Sequence, residues 1–160
     1  MEIHGKIPEN GFECRCDYSE TARIIEKTCF TGDLGIELTD LAPGKCVLRL
    51  NVLPRHLNTN NIVHGGVLYA LADTAASLAA ASFGEGGSTV QGNVSYPRPA
   101  SGRVLECHAH VTKYGSHLIW SEADVMDESG EVCCHGEFIN FQMEGSSNFG
   151  IKKVGTQHAE

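Results

Sequence analysis

The chain has 160 residues, of which 41% are hydrophobic and 20% are charged, and its formal net charge is −8. Such a length fits one domain that buries roughly two thirds of the surface of its unfolded chain. The negative charge argues against nucleic acid as a partner, because proteins that bind a phosphate backbone usually present a basic surface. The sequence has neither the run of roughly eighteen apolar residues that a membrane span needs nor a basic-then-apolar signal at its start. We therefore expect a cytoplasmic protein with no membrane partner.

Both ends of the chain lack a periodic hydrophobic pattern. We predict a loosely held N-terminal arm over residues 1–18, a single domain over 19–143 and a mobile polar tail over 144–160. The domain begins with a short amphipathic helix from Ser19 or Glu20 to Cys29, and the Thr31-Gly32-Asp33 segment is expected to end it.

Six segments have a strand-like pattern, two before a long helical stretch and four after it. They are Leu34–Leu41, Lys45–Leu53, Ser88–Tyr96, Gly102–Tyr114, Ser116–Asp127 and Glu131–Met143. Short turn sequences such as Asp127-Glu128-Ser129-Gly130 separate the later strands. Consecutive strands joined by such turns favour an antiparallel meander.

A long helix is predicted over Gly65–Ser82, because this stretch is rich in Ala and Leu and contains no Pro. Its apolar residues follow helical spacing and form one stripe: Leu68, Leu71, Ala72, Ala75, Leu78 and Ala79. A six-stranded antiparallel sheet curled around this helix would bury the stripe, so the sequence predicts an α+β fold. The small alanine side chains would let the curved sheet approach the helix closely.

The seven cysteines are expected to be thiols, since disulfides are rare in the cytoplasm. The Cys14-x-Cys16 and Cys133-Cys134-His135 segments lack the paired spacing that is typical of zinc sites. Adjacent residues of a strand also point to opposite faces, so Cys133 and Cys134 are poorly placed to chelate one ion. We predict no metal site and no cofactor.

Two features of the long helix point to chemistry. Asp73 is the only charged residue within it, and a lone carboxylate among apolar groups is costly unless it is solvated, paired or used. Gly65 and Gly66 at the helix start allow a ligand to approach backbone N–H groups that have no partner within the helix. A site for a developing negative charge is therefore expected at this corner, although Asp73 could instead be hydrogen-bonded in a wet interface.

The spacing of these features predicts a dimer. Asp73 lies seven residues beyond Gly66, which is roughly 10 Å along the axis at about 1.5 Å per residue. One helix therefore cannot easily present both groups to the same reacting atom. Two antiparallel copies related by a two-fold axis could do so, and each site would then combine residues of both chains.

The pattern Asn58-x5-His64-Gly65-Gly66-x6-Asp73 is followed by a segment that ends in Tyr-Pro-Arg-Pro-Ala at Ala100. Together these features resemble the hotdog-fold acyl-CoA thioesterases, and they are most similar to the phenylacetate-degradation type. The likeness covers roughly Leu34 to Phe141. It implies the hotdog fold, hydrolysis of an acyl-CoA thioester to acid and CoA, and a homodimer or homotetramer.

The resemblance also implies roles for particular residues. Gly65 and Gly66 would donate to the oxyanion, Asp73 would act as general base or nucleophile, and Asn58 would place water or the thioester carbonyl. His64 would orient the corner, or it is simply a satisfied, half-buried histidine. Asn58, for its part, could be an ordinary turn-capping asparagine.

Other residues are implied in substrate binding. The CoA moiety would follow two segments, Tyr96 to Arg98 and the Lys113–His117 hairpin, with positive charge from Arg98, Arg103 and Lys113. The hairpin candidates are Lys113, Gly115, Ser116 and His117, and either Thr89 or Gln91 would reach the site. Tyr69 would line the acyl pocket, which leaves small, aromatic and medium-chain acyl groups open.

Three other functions remain as alternatives to a thioesterase. A non-catalytic acyl-CoA-binding protein on the same fold would need neither Asp73 nor the oxyanion donors. A dehydratase would place its catalytic residues differently. A structural dimerisation module would leave the lone Asp73 unexplained.

Overall fold

The computed structural model describes residues 14–27, 29–83 and 87–142. Its helices are α1 (Tyr18–Lys27), α2 (Cys29–Leu34) and α3 (Gly65–Ala81), with a short 3-10 helix at Pro54–His56. Its strands are β1 (Ile36–Ala42), β2 (Lys45–Asn51), β3 (Gly87–Ser95), β4 (Val104–Tyr114), β5 (Leu118–Asp127) and β6 (Val132–Gln142). No helix in these ranges is long and apolar enough to span a membrane.

The six strands form one antiparallel sheet in the order β1-β2-β4-β5-β6-β3. This sheet and the single long helix confirm the predicted α+β hotdog architecture. The predicted meander holds for β4 to β6, whereas β3 lies at the far edge and pairs with β6 instead of β4. The connection from β3 to β4 contains Pro97 and Pro99, which lack the N–H groups of a tight hairpin, and it spans β6 and β5 to reach β4 in the interior of the sheet.

Helix α3 packs on the inner face of the sheet through its small and branched apolar residues. Leu71, Ala72, Ala75, Leu78 and Ala79 are fully buried, as the predicted stripe requires. They meet alternate residues of the strands, such as Leu48, Leu105, Cys107 and Val125, which are also fully buried. The core therefore lies between one face of α3 and the inner face of the sheet.

The N-terminal region differs from the prediction in detail. Thr31-Gly32-Asp33 does not end the helical region but belongs to α2, and the chain turns instead at Gly35, whose φ of 76° suits glycine. The described end of the predicted arm is attached to α3, because the Arg15 N–H donates to the Ser82 carbonyl and Cys16 is buried. Residues 1–13 of the arm and the tail at 144–160 lie outside the described residues.

The two edges of the sheet differ in how they are covered. On β1, the Leu38 carbonyl accepts from the Tyr18 hydroxyl, and the Leu38 N–H donates to Glu26, so side chains of α1 occupy that edge. The β3 edge has no such cover among the described residues, and Val90 on it is 58% exposed. An uncovered edge strand can pair with another chain, so β3 is the edge that is open to a second copy.

Candidate active site

His64 shapes the corner at which α3 begins. It lies just before the helix with extended backbone angles, and its Nδ1 accepts a hydrogen bond of 2.9 Å from the Gly66 N–H. This bond places the ring proton on Nε2 and makes His64 the N-cap of the helix. Of the two predicted oxyanion donors, Gly66 is therefore engaged, whereas the Gly65 N–H has no acceptor among the described residues.

Asn58 organises the loop that delivers the chain to this corner. Its Oδ1 accepts from the N–H groups of Asn60 and Ile62, and its own N–H donates to the Ile62 carbonyl. Asn58 is thus a turn-capping asparagine. Its Nδ2, however, makes no hydrogen bond within the described part of the chain, so the amide keeps two donors for a ligand.

A cleft of about 310 Å³ brings several of the predicted site residues together at the start of α3. Its polar lining includes Asn58, Gly65 and Tyr96, and its apolar lining includes Ile62 and Leu68. The Tyr96 hydroxyl donates to the Gly65 carbonyl at 3.1 Å, which holds the aromatic ring against the helix start. The cleft therefore combines open N–H donors with an apolar wall.

Asp73 lies two turns further along α3 and does not line this cleft. It is half-buried, and its Oδ1 accepts a hydrogen bond of 2.7 Å from the Thr89 hydroxyl. Burial raises the pKa of the Asp73 carboxyl, and the Thr89 bond opposes that rise. Its second oxygen, Oδ2, has no partner in the described ranges, so one side of the carboxylate is open to a reactant.

The structure decides between the two β3 candidates. Thr89 faces α3 and contacts Asp73, whereas Gln91 lies on the outer face of the sheet and does not approach the site. The strand has a bulge between these residues, so Thr89 pairs with Asn140 and Gln91 with the adjacent Ile139. The bulge reverses the usual alternation, and two residues that are two apart therefore point to opposite faces.

Tyr69 lies one turn before Asp73 and faces β3. Its ring packs edge-on against Phe138 with the ring centroids 5.8 Å apart, and its hydroxyl lies directly over Gly92. A Cβ atom at position 92 would clash with the Tyr69 hydroxyl and the Phe138 ring, so these two side chains can hold their positions only over a glycine. Tyr69 thus forms a wall beside Asp73 rather than part of the cleft at Gly65.

The predicted CoA role of Arg98 is not supported by its contacts. Its guanidinium forms two hydrogen bonds to Asp127, at 2.7 and 2.9 Å, and it also donates to Ser129 and to the Glu131 carbonyl. The side chain of Asp127 has no exposed surface. A guanidinium bound in this way to a buried carboxylate fixes the Pro97–Ala100 segment, so the charge of Arg98 is already paired although the residue lines the cleft.

The two segments predicted to bind CoA lie at opposite ends of β6 within one chain. Tyr96 follows Ser95, which pairs with His135, whereas the hairpin precedes Leu118, which pairs with Phe141. Six residues along β6 correspond to roughly 20 Å at about 3.3 Å per residue. Tyr96 and the hairpin of one chain therefore lie roughly 20 Å apart along the sheet.

The hairpin contributes one lysine, Lys113, which contacts an aromatic ring. The ammonium of Lys113 lies 4.4 Å from the centre of the Trp120 ring, and the ring of His117 stacks on Phe141. Ser116 is exposed at the tip, and the Gly115 N–H donates to the Leu118 carbonyl.

Among the described residues, no group of three or more His, Cys, Asp and Glu side chains is placed to hold a metal ion.

The comparison with known proteins identifies the family of the chain. A family model described as the thioesterase superfamily matches residues 60–134, which include the start of α3 and Asp73. A Mycobacterium tuberculosis protein named as a candidate esterase is 31% identical over 114 residues, covering 68% of this chain and 81% of that protein. The chain belongs to the thioesterase superfamily.

Two further similarities show which members of the thioesterase superfamily this chain resembles. Mouse acyl-coenzyme A thioesterase 13 is 27% identical over 140 residues, covering 85% of this chain and 86% of the mouse protein. The solved structure of a variant of the phenylacetic acid degradation protein PaaI from Thermus thermophilus is 29% identical with a TM-score of 0.68, covering 71% of this chain and 98% of that one. The resemblance to the phenylacetate-degradation type is thereby confirmed.

The structure also adds residues to this thioesterase-family site that the sequence pattern does not reveal. Ser77 and the buried Asn140 contact Thr89, and Asp127 fixes the segment after β3. The only available signal for Asn140 is that an uncharged polar residue occupies an otherwise apolar face of β6. Its contacts with β3 depend on the strand crossover, which local patterns do not encode.

Proposed function

We propose that this protein is an acyl-CoA thioesterase, which hydrolyses the thioester of a small, aromatic or medium-chain acyl-CoA to the free acid and CoA. The observation that carries this proposal is that Gly65 and Asn58 line the same cleft, and that neither the Gly65 N–H nor the Asn58 amide nitrogen has a hydrogen-bond partner among the described residues. Donors at a helix start stabilise the negative charge that develops on a thioester carbonyl oxygen. The reaction needs no cofactor, since CoA is part of the substrate.

The proposed mechanism uses two groups that lie apart within one chain, the donors of Gly65 and Asn58 and the carboxylate of Asp73. The carbonyl oxygen of the substrate accepts hydrogen bonds from the Gly65 N–H and the Asn58 amide. These bonds make the carbonyl carbon more electrophilic. Asp73 of a second copy either attacks that carbon or removes a proton from the attacking water. The thiolate of CoA then leaves, and the acid is released directly or after hydrolysis of an anhydride on Asp73.

A second copy at the β3 edge would supply the missing half of each site. Antiparallel pairing of two β3 strands reverses the direction of one copy, so its Asp73 region approaches the Gly65 region of the other. The same operation brings the hairpin of one copy towards Tyr96 of the other. The CoA would then lie between the copies, with Lys113 and Arg103 as the candidate cations in place of Arg98. We also propose that two such dimers pair to form a tetramer and that the protein is cytoplasmic.

The first experiment measures CoA release from a panel of acyl-CoA esters by wild type, Gly65→Pro and Gly65→Ala. Proline at the first helical position replaces the N–H by a ring carbon, and the extended angles of His64 are those that a residue before proline prefers. Loss of one oxyanion donor lowers kcat by about 10²–10³-fold. Gly65→Ala keeps the donor, and the nearest atom to its added Cβ would lie at an ordinary 3.4 Å, so its loss should be at least tenfold smaller.

Two outcomes would count against hydrolysis. Equal activity of the proline and alanine variants would remove the Gly65 N–H from the mechanism. Binding of acyl-CoA by wild type without any CoA release across the panel would favour the non-catalytic binding protein. Circular dichroism and thermal melting of each variant show whether a loss of activity reflects a loss of fold.

The composite site predicts rescue in mixed dimers. Asp73→Ala removes the carboxylate that one copy contributes to a site, and Gly65→Pro removes the N–H donor that the other copy contributes. Unfolding and refolding an equal mixture should therefore create heterodimers with one complete site. Random pairing then restores about a quarter of the wild-type activity per chain. A mixture of Asp73→Ala with Asp73→Asn is the matched control and should stay inactive. If the first mixture also stays inactive, the site lies within one chain.

A further inference from the structure

Behind Asp73 lies a group of three polar side chains between α3, β3 and β6. Ser77 is one turn beyond Asp73 on α3, and Thr89 and Asn140 face each other directly across the β3–β6 pair. The Asn140 Nδ2 donates to the Ser77 hydroxyl at 3.0 Å and to the Thr89 hydroxyl at 3.1 Å. Asn140 is 2% exposed and makes no contact with the cleft at Gly65, so it lies outside the reacting groups.

Counting the protons in this group gives each bond a direction. An amide nitrogen only donates, so the Thr89 oxygen must accept from Asn140. The single hydroxyl proton of Thr89 is then left for Asp73, whose Oδ1 lies 2.7 Å away. The chain of bonds therefore runs from Asn140 through Thr89 to the carboxylate, and donation into the hydroxyl strengthens the bond that the hydroxyl donates.

The opposite direction has a different chemical outcome. If an acceptor stood at position 140, Thr89 would donate to it, and the Thr89 and Asp73 oxygens would face each other without a proton. Asp73 could restore the bond only by taking up a proton and donating it to Thr89. The direction of the chain thus decides whether the ionised or the protonated form of Asp73 is favoured.

We propose that Asn140 is a positioning residue for the thioesterase reaction, which acts through Thr89 to hold Asp73 ionised and to fix Oδ1, so that Oδ2 faces the substrate. This inference rests on the proposed function only for its effect on turnover. Its effect on Asp73 itself is independent of any substrate.

The neighbourhood of Asp73 makes the effect measurable. No charged side chain in the described ranges contributes to the pKa of Asp73, which burial raises and the Thr89 bond lowers. On α3 the titratable neighbour one turn away is Tyr69, β3 presents Thr89, and β6 presents Asn140, neither of which is charged. A change in the titration of Asp73 in these variants therefore reports on the hydrogen-bond chain.

The test follows the Asp73 carboxyl by carbon-13 NMR as a function of pH, with the signal assigned by its absence in Asp73→Asn. Asn140→Leu removes the donor at similar volume but leaves the bond from Thr89 to Asp73, so the Asp73 midpoint should rise by about 0.1–0.7 unit, the loss of a 10–30% strengthening of that bond. Asn140→Asp, which cannot donate when ionised and adds a like charge, should raise it further. Ser77→Ala is the comparison variant: it keeps the bonds from Asn140 to Thr89 and on to Asp73 but removes the 3.2 Å contact between the Ser77 and Thr89 hydroxyls, so it measures the contribution of that contact alone.

A double-mutant cycle separates action through Thr89 from a general structural effect. In a Thr89→Val background the Asn140→Leu change should no longer move the Asp73 midpoint. An unchanged midpoint in Asn140→Leu, or the same shift with and without Thr89, would overturn the proposal. If Asn140→Leu does not fold, Asn140→Ala, which also removes the donor and adds no charge, gives the same two comparisons.

The acid limb of kcat/KM against pH should move upward in parallel with the NMR midpoint. A protein with no CoA release would fail in the kinetic arm alone, whereas a wrong role for Asn140 would fail in the NMR arm. The two proposals are therefore tested separately.

Discussion

Among the residues that the structure describes, Asp127 is surrounded by hydrogen-bond donors, whereas Asp73 meets a single one. Asp127 accepts six hydrogen bonds, two each from Arg98, Ser101 and Ser129. The Arg98 guanidinium is the largest cause that holds the pKa of Asp127 well below its usual range. Asp73 accepts one bond from Thr89, and burial raises its pKa.

This difference separates a structural carboxylate from an available one. All the lone pairs of Asp127 are committed, so the residue fixes the crossover between β3 and β4 and has nothing left to offer a substrate. Asp73 keeps Oδ2 open and carries a charge that its surroundings compensate poorly. A carboxylate in that state gains free energy from a proton or an electrophile, which is what a general base or a nucleophile requires.

The largest effect expected from this comparison is the loss of turnover in Asp73→Asn. The amide keeps the shape and can still accept from Thr89, but it can neither take up a proton nor attack a carbonyl. A positioned base contributes about 10²–10⁴-fold, so kcat in a CoA-release assay should fall by that factor.

The same assay on Asp127→Asn tells whether the two carboxylates have the opposed roles described above. That variant should keep much of its kcat at a temperature at which it is folded. A fall in Asp127→Asn as large as in Asp73→Asn would show that the comparison is wrong.

The second effect is on stability and should appear in Asp127→Asn. An amide at this position would direct its own NH₂ group towards groups that are already donors, and several buried donors would lose their acceptor. The melting temperature should fall by roughly 5–10 °C, as measured by differential scanning calorimetry. Glu131→Gln is the control, because Glu131 pairs with Arg98 from a largely exposed position and should change the melting temperature little.

The architecture was predictable because it depends on local periodicity. Alternating residues in the strands and helical spacing over Gly65–Ser82 are set by the burial of each residue, and these patterns give the sheet and the helix that fills it. The position of β3 was not predictable in this way. Which strand it joins depends on the direction that the proline-containing segment after Ser95 takes, and that direction depends on the bonds from Asp127, 29 residues beyond Arg98.

The candidate site was predictable in part for the same reason. The corner at Gly65 and the carboxylate of Asp73 lie on one helix, so their separation follows from helix geometry alone. The choice between Thr89 and Gln91 depends on a bulge at Val90, which alternation does not reveal. The charge of Arg98 suggested a phosphate site, but its buried partner Asp127 is distant in sequence and becomes visible only in the folded chain.

The smallest expected effect is a difference in how pH changes stability, and it should have opposite signs at the two carboxylates. The pKa of Asp127 is lowered by folding, so the advantage of wild type over Asp127→Asn is full at neutral pH and shrinks as pH falls below the ordinary value of 3.8. The pKa of Asp73 is raised by folding, so its charge destabilises the native state at neutral pH. Asp73→Asn should therefore melt above wild type at pH 7, and this difference should vanish as pH falls through the raised pKa towards 3.8.

Melting curves of the three proteins at equal chain concentration between pH 3.5 and 7, an interval that brackets the ordinary carboxyl pKa, check both signs in one experiment. Equal concentration is needed because a dimer melts at a temperature that depends on it. If Asp73→Asn were less stable than wild type at pH 7, the carboxylate would have to be stabilised by a partner, and its role as an uncommitted base would be lost. The Asp73 charge would then resemble that of Asp127, and the open oxygen would no longer distinguish the two groups.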